Sequence, residues 1–353
     1  MKNFNTKRLK RFIFAHIQLT RFVILGAFFV LIIGSLLFLF KTVSNSVLGE
    51  ELVAAKNFIL PDTQNKRINI LLMGVRGESG DGPDLTDTMI LVSINTQNKK
   101  MALISIPRDI WVDDLKDKVN SAYMYGKQKG GAQTGIILAK STIEEITGQQ
   151  IDYGVVVDFS SFKDIVDAIG GVQVNVANSF TDTQYPVAGQ ENNPCISCRY
   201  MTVSFQKGLQ TMNGDTALEF VRSRHASGVE GNDIAREARQ QLIIDAILKK
   251  IVTPQVLTNT SIDEKLFNVL RNNILTDMTL KNAGSVARYI IDAKNNKISY
   301  TIPDDLLYTP SNEYLYHNQF FTHAFVFIPN NKKSISGSED WSDIQKWVSS
   351  VLN

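Results

Sequence analysis

The side chains with the clearest chemical potential are arginines. Arg108 follows an apolar run, Arg222 and Arg224 stand two apart, and Arg236 and Arg239 share one stretch with Asp233 and Gln240. A guanidinium offers a planar fork of donors that grips phosphate oxygens two at a time and never loses its charge. Arginines that converge in a nearly neutral chain therefore point to a diphosphate or another polyanion as ligand. The piece Val221-Arg222-Ser223-Arg224 reads as extended, which would put both arginines on one face. Residues 233–246 read as helical. At ~100° per residue Asp233, Arg236 and Gln240 share one arc, Arg239 lies at its margin, and Ala235, Ala238, Leu242 and Ala246 centre on the opposite side. A solvated helix face would explain the helical group alone, but it leaves the pair at 222 and 224 unexplained.

Other reactive residues are sparse. Cys195 and Cys198 are the only cysteines and form a Cys-x-x-Cys in a polar stretch. A local disulfide is the leading reading outside the cytoplasm, ahead of free thiols, and a zinc site would need two further ligands. None of the four histidines has metal-ligand spacing, and no Gly-x-Ser-x-Gly, Walker loop or catalytic-cysteine setting occurs.

The elements that must position the arginines are legible from hydrophobic periodicity. Ile68–Met73 is a continuous apolar run that fits a strand buried on both faces, followed by a Gly-rich loop. Met89–Ile94 and Met101–Ile106 read as two strands of a hairpin, with Asp87 before the first and Arg108 after the second. Ile136, Ala139, Ile143 and Ile146 predict a helix stopped by Gly148. Val155–Val157 reads as a strand. A helix follows from Ser161 with Phe162, Ile165, Val166 and Ile169 on one stripe. Val172, Val174 and Val176 alternate as a half-buried strand. Beyond Thr253 come two weaker helical patterns, strands at Lys297–Ile302 and around Ala324–Pro329, and a terminal helix at Trp341–Leu352. Strands alternating with helices around one hairpin predict an α/β fold, a mixed sheet covered by helices.

Charge is distributed unevenly. Of 37 Lys and Arg, six lie in residues 1–21 with no acid, so the remainder holds 31 basic against 35 acidic residues, a net of −4. A globally basic nucleic-acid binder is thereby disfavoured. Phe22 to Phe40 is nineteen residues without charge or proline, ~28 Å as a helix and close to the hydrocarbon thickness of a bilayer. A signal peptide would carry a shorter apolar stretch of ~7–15 residues. The expected layout is a cytoplasmic tail at 1–21, a transmembrane helix at 22–40, an extracytoplasmic stalk at 41–66 and a folded domain at 67–353, since basic residues before a span stay inside. This predicts a single-pass protein of the cell membrane with its N-terminus cytoplasmic and no nucleic-acid partner.

A series of ordered motifs resembles the LytR-CpsA-Psr family. It runs Asp87-Thr88-Met89, Ser105-Ile106-Pro107-Arg108-Asp109, Lys118-Val119-Asn120-Ser121-Ala122-Tyr123, Val157-Asp158-Phe159, Ile169-Gly170-Gly171-Val172, Val221-Arg222-Ser223-Arg224 and Asp233-x-x-Arg236-x-x-Arg239-Gln240-Gln241. The resemblance is strong over residues 67–250 and loose beyond. It implies a mixed β-sheet sandwiched by α-helices, preceded by one transmembrane helix. It also implies a phosphotransferase that moves a glycopolymer from a polyprenyl-diphosphate lipid onto peptidoglycan. By the same resemblance Arg108, Arg222, Arg224, Arg236 and Gln240 would clamp the phosphates, with Arg239 and Lys118 as further substrate-binding residues. Asp87 would hold Mg²⁺ or Mn²⁺, hard cations that take oxygen ligands. Asp233 would orient an arginine or act as base toward the acceptor hydroxyl, or else simply favour its helix N-terminus.

The sequence departs from the family pattern near the expected metal. Family members carry an acid shortly after the first strand and an arginine two before the Asp of Asp-Thr, where this chain has Arg76 and Leu85. Asp84 or Asp81 could take the acid's part and Arg76 the arginine's; a solvated turn would also explain this Gly- and Pro-containing loop. Attack of a sugar hydroxyl on a diphosphate needs in-line positioning and charge stabilisation, which arginines and a divalent metal supply. Two other functions share these residues: a polyprenyl-diphosphate phosphatase in which water attacks, and a non-catalytic lipid-binding regulator of the cell envelope. Apolar helices at 136–147 and 162–169 and Phe320, Phe321, Phe325 and Phe327 would suit a prenyl slot or plain core, and core is the reading adopted for most of them.

Overall fold

The computed structural model of the chain describes residues 56–57, 66–77, 82–226, 228–251, 253, 260–310, 325–331 and 340–353; of residues 233, 234, 260–264 and 267 it describes the backbone. The expected tail at 1–21, the span at 22–40, most of the stalk at 41–66, and Asp81, Phe320 and Phe321 lie outside the described residues. The chain divides into two units. One comprises residues 1–61 and 279–285; the other, residues 62–278 and 286–353, carries the site. In the first unit the Asn57 amide donates to the Lys281 carbonyl at 2.9 Å.

The larger unit is built on three consecutive strands. β1 (Arg67–Val75), β2 (Thr86–Asn95) and β3 (Lys100–Ser105) pair antiparallel in sequence order. The predicted hairpin turns at Thr96–Lys99, with Lys99 at a φ of +56°. Two short strands, β4 (Trp111–Val112) and β5 (Asp117–Lys118), form a small hairpin beyond β3. Helices α1 (Ala122–Gly130) and α2 (Ala132–Thr147) follow, then β6 (Tyr153–Asp158), which adds parallel to β1.

After β6 come α3 (Phe159–Ala168), β7 (Val172–Val176), β8 (Phe180–Pro186), β9 (Tyr200–Phe205), β10 (Gly208–Met212), α4 (Gly214–Arg222) and the long α5 (Asp233–Ile251). The remaining elements are α6 (Thr260–Asn273), β11 (Leu275–Thr276), α7 (Leu280–Ala293), β12 (Lys297–Thr301), β13 (Leu307–Tyr308), β14 (Ile328–Pro329) and α8 (Ser342–Leu352). The main sheet has the order β11-β6-β1-β2-β3-β12 and is mixed, as expected.

Period-two alternation buries both faces of this sheet. Leu71, Met73, Met89, Leu91 and Ile104 pack against Ile136, Ala139 and Ile143 of α2 and Ile344 and Val348 of α8. Ile70, Ile90, Ile94 and Leu103 face the other way, toward Val286 and Tyr289 of α7 and Ile244 and Leu248 of α5. A separate cluster joins β7–β10 to α3, α4 and α5. Its centre is the aromatic trio Phe180, Phe205 and Phe220, with ring centroids 5.0–6.0 Å apart.

Three local expectations are corrected. Residues 221–224 are not a strand: Arg222 is the last residue of α4. Asn213 caps that helix by accepting from the Thr216 amide at 2.9 Å, and Ser223 closes it with its hydroxyl on the Glu219 carbonyl. The helix after β6 begins at Phe159, because Asp158 is its cap and accepts from the Ser161 amide at 2.7 Å. On α5 the apolar side is Ile243, Ile244, Ala246, Ile247 and Leu248, and Leu242 is exposed. The helix touches two clusters at once, so its buried arc is wider than one stripe and centres on the arc of Arg236 and Gln240, while Ala238 and Leu242 of the expected apolar side are exposed.

Candidate active site

Strands β1 and β3 both run antiparallel to β2, so the C-terminal ends of β1, β3 and β6 meet the N-terminal end of β2 at one edge of the sheet. Ligands in open α/β sheets bind beyond such carboxyl ends. Every arginine nominated by sequence, apart from Arg239, comes to this edge.

Arg76 is the first residue after β1. The register shifts between Gly74 and Val75, and Gly77 then turns the chain at a φ of +84°, with Asp158 only 3.1 Å from where a Cβ would stand. A side chain at 77 would both strain the backbone and press on the α3 cap. Asp87 lies one residue into β2. Its two oxygens meet Arg108 Nη1 at 2.5 Å and Arg76 Nε at 3.3 Å. Burial would raise this carboxyl, but Arg108, Arg76 and Arg236 outweigh it and hold Asp87 below its ordinary 3.8. Arg108 itself is steadied by Asp109 at 3.4 Å, and Asp109 in turn pairs with Lys118 at 2.6 Å. Lys118 thus reaches the site through Asp109.

The opposite wall comes from the β8–β9 and α4 region. Arg222 projects from the end of α4 with its guanidinium 4.3 Å above the Phe159 ring and 5.2 Å from the Tyr185 ring, and donates to the Tyr185 hydroxyl at 3.2 Å. Two aromatic faces hold the cation flat without neutralising it. Arg224 is set by its backbone: Asp182, 1% exposed, accepts from the amides of Arg224 at 2.9 Å, His225 at 3.2 Å and Gln184 at 2.9 Å. Arg236 and Gln240 arrive from α5, one turn apart as the helical spacing requires. Gln241 fixes that helix to the sheet by donating to the Ser105 hydroxyl at 2.9 Å.

Together Arg76, Asp87, Arg222, Arg224, Arg236 and Gln240 line one cavity of about 260 Å³, and Arg108 borders a small recess beside it that shares Asp87, Arg236 and Gln240. Four guanidiniums against two carboxylates make this a site for an anion.

Not every nominated residue reaches it. Arg239 is 2% exposed and binds the carbonyls of Phe220, Ser223 and Glu230, the Glu230 carboxylate at 2.9 Å and the Phe180 ring face. Its fork ties down the chain that carries Arg222 and Arg224 and has no cavity-facing position. Asp84 pairs with Lys127 at 2.6 Å and does not line the cavity. The side chain of Asp233 lies outside the described residues. Cys195 and Cys198 form a disulfide in an exposed loop. Three contributors carried little or no sequence signal: Asp182, Tyr185 and the stacking role of Phe159.

The donor set does not build a metal centre from Asp87 and Asp84. Asp87 meets a guanidinium at each oxygen, Asp84 is held by a lysine, and Asp182 is turned to backbone amides. Among the described residues no group of three or more His, Cys, Asp or Glu is arranged to hold a metal ion.

A model of the LytR_cpsA_psr family matches residues 41–323. The chain belongs to this family. LytR_cpsA_psr relatives include two proteins named Polyisoprenyl-teichoic acid--peptidoglycan teichoic acid transferase TagU. That of Bacillus cereus is 28% identical over 247 residues, covering 69% of this chain and 71% of the relative. That of Oceanobacillus iheyensis is 32% identical over 232 residues, 65% of this chain and 64% of the relative. The fold is similar to that of Bacillus subtilis TagV, with a TM-score of 0.56 and 22% identity over 82% of this chain and 98% of that one.

Proposed function

We propose that the chain is a phosphotransferase that takes a glycopolymer from a polyprenyl-diphosphate carrier and joins it to peptidoglycan by a phosphodiester. The observation that carries this reading is the cavity in which Arg76, Arg222, Arg224 and Arg236 converge around Asp87 and Gln240. The names of the two TagU relatives support a teichoic-acid-type cargo and a peptidoglycan acceptor. The acceptor hydroxyl oxygen attacks the phosphorus that bears the glycan. The bond from that phosphorus to the bridging oxygen breaks, polyprenyl monophosphate leaves, and the hydroxyl proton is released.

Phosphoryl transfer asks the protein mainly for positioning and charge. Arg222, flattened between Phe159 and Tyr185, and Arg224, anchored through Asp182, face the phosphates from one wall, and Arg236 and Gln240 face them from α5. Arg108 orients Asp87 at the floor. Asp233 opens α5 one turn before Arg236, a position suited to the orienting or base role. Residues 22–40 anchor the chain in the cell membrane as a single span, with 1–21 cytoplasmic and the domain outside, where carrier lipid and cell wall meet.

The test is turnover by the full-length chain in detergent, given a polyprenyl-diphosphate-linked oligosaccharide and peptidoglycan fragments. Transfer predicts a glycan–peptidoglycan conjugate that forms only with acceptor present. Release of oligosaccharide phosphate at the same rate without acceptor would show hydrolysis instead.

A further inference from the structure

We infer that Arg76 is a diphosphate-binding residue, and that its guanidinium supplies the charge neutralisation which a divalent cation beside Asp87 would otherwise bring. This rests on the diphosphate reading of the cavity. Arg76 leaves β1 at the sheet edge and faces the same cavity as Arg222, Arg224 and Arg236. It also borders a second, larger cavity shared with Arg222 and Phe159, so it stands between two open spaces. Its side chain is 35% exposed, and its contact with Asp87, 3.3 Å, is the looser of the two that carboxylate makes.

Asp87 therefore has one firm partner, Arg108, and one that can turn to an incoming anion and keep its charge-assisted contact geometry. A hard dication at Asp87 would need further oxygen ligands and would sit among like charges. Among the described residues the nearby carboxylates are engaged: Asp84 with Lys127, Asp109 with Lys118 and Arg108, and Asp158 with the start of α3. Glu237 borders the small recess together with Arg108 and Arg236. In this arrangement a permanently charged guanidinium does the cation's work. Binding of the diphosphate is then independent of metal.

The experiment is calorimetric titration of the full-length chain in detergent with geranyl diphosphate, in EDTA and in Mg²⁺. Wild type is expected to bind with affinities within about three-fold of each other in the two buffers. Arg76→Ala and Arg76→Gln should each weaken binding ~10-fold or more, with melting curves matching wild type because the side chain is part-exposed. Arg76→Asp places a second carboxylate beside Asp87 and should bind only when Mg²⁺ is added. Wild-type binding that EDTA abolishes, or binding that Arg76→Ala and Arg76→Gln leave unchanged, overturns the inference and leaves the diphosphate reading standing. No binding by wild type in either buffer defeats both.

Discussion

Asp182→Ala removes the acceptor of three backbone amides, those of Gln184, Arg224 and His225, at one buried point. A hydrogen bond to a charged acceptor contributes ~1.5–3 kcal/mol, and a buried donor left unmade costs a similar amount. Gln184 and His225 are exposed residues whose amides water can reach once the carboxylate is gone, so about 1 kcal/mol each is a fair charge for them. Arg224 is half-buried, and its amide should cost nearer ~2 kcal/mol. The sum of about 4 kcal/mol is a large fraction of the ~5–15 kcal/mol that holds a domain together. At ~2–4 °C per kcal/mol the melting temperature should fall by roughly 8–16 °C. Trp111 and Trp341 are buried and report unfolding by fluorescence. Turnover, measured below the melt, should fall at least ~10-fold because Arg224 loses the anchor that aims it. An Asp182→Ala chain that melts within ~2 °C of wild type at undiminished turnover would refute the reasoning.

Three further outcomes are expected. Arg239→Met strips the carbonyls of Phe220, Ser223 and Glu230 of their donor and should destabilise by ~3–5 kcal/mol, seen as an early melt, while Arg199→Met at an exposed loop is far milder. The double change Cys195→Ser and Cys198→Ser opens a loop of sequence separation 3, so loop entropy predicts a loss of only ~2 kcal/mol, and turnover should stay within a few fold of wild type. Asp87, Asp158 and Asp245 all have carboxyls held below the ordinary 3.8, the last by Lys249 and Lys297 against its own burial. A depressed folded-state value means stabilisation that is full above the unfolded value and lost as pH falls through the folded one. Melting temperature should therefore be flat from about pH 8 to 5 and drop below about pH 4, less steeply in Asp87→Asn.

The three-strand core was the most legible part of the chain, because Ile68–Met73, Met89–Ile94 and Met101–Ile106 alternate between two buried faces and the turn between the last two is short. The expectation of converging arginines rested on residue type and order, and it carried Arg108, Arg222, Arg224, Arg236 and Gln240 to one edge. Residues 221–224 read as a strand yet end a helix, since Arg-Ser-Arg spacing resembles a strand while the deciding signal, the Asn213 cap, lies eight or more residues upstream. Arg239 resembles its neighbour Arg236 in sequence, and only the fold reveals that the ~60° of helix rotation between them turns it to carbonyls instead of the cavity. Asp182 gave no signal at all: its role depends on a segment 42 residues later returning to it. Long-range returns of this kind have no periodicity to read.

The central claim is that the arginines facing this cavity bind and neutralise a diphosphate. Arg222→Lys keeps the charge but loses the planar fork held against Phe159 and Tyr185, and Arg224→Lys loses the forked donors that suit two phosphate oxygens at once. Loss of one contact that matters most in the transition state costs about 2–4 kcal/mol, or ~30- to ~1000-fold in rate. The decisive measurement is turnover of the polyprenyl-diphosphate-linked oligosaccharide by full-length Arg222→Lys, Arg222→Ala, Arg224→Lys and Arg224→Ala, with Arg199→Lys, outside the cavity, as the comparison and thermal melts alongside. The cavity reading predicts folded variants at 222 and 224 that fall ~30-fold or more below wild type, with Arg199→Lys near wild type. Folded variants at both positions with undiminished turnover would contradict it.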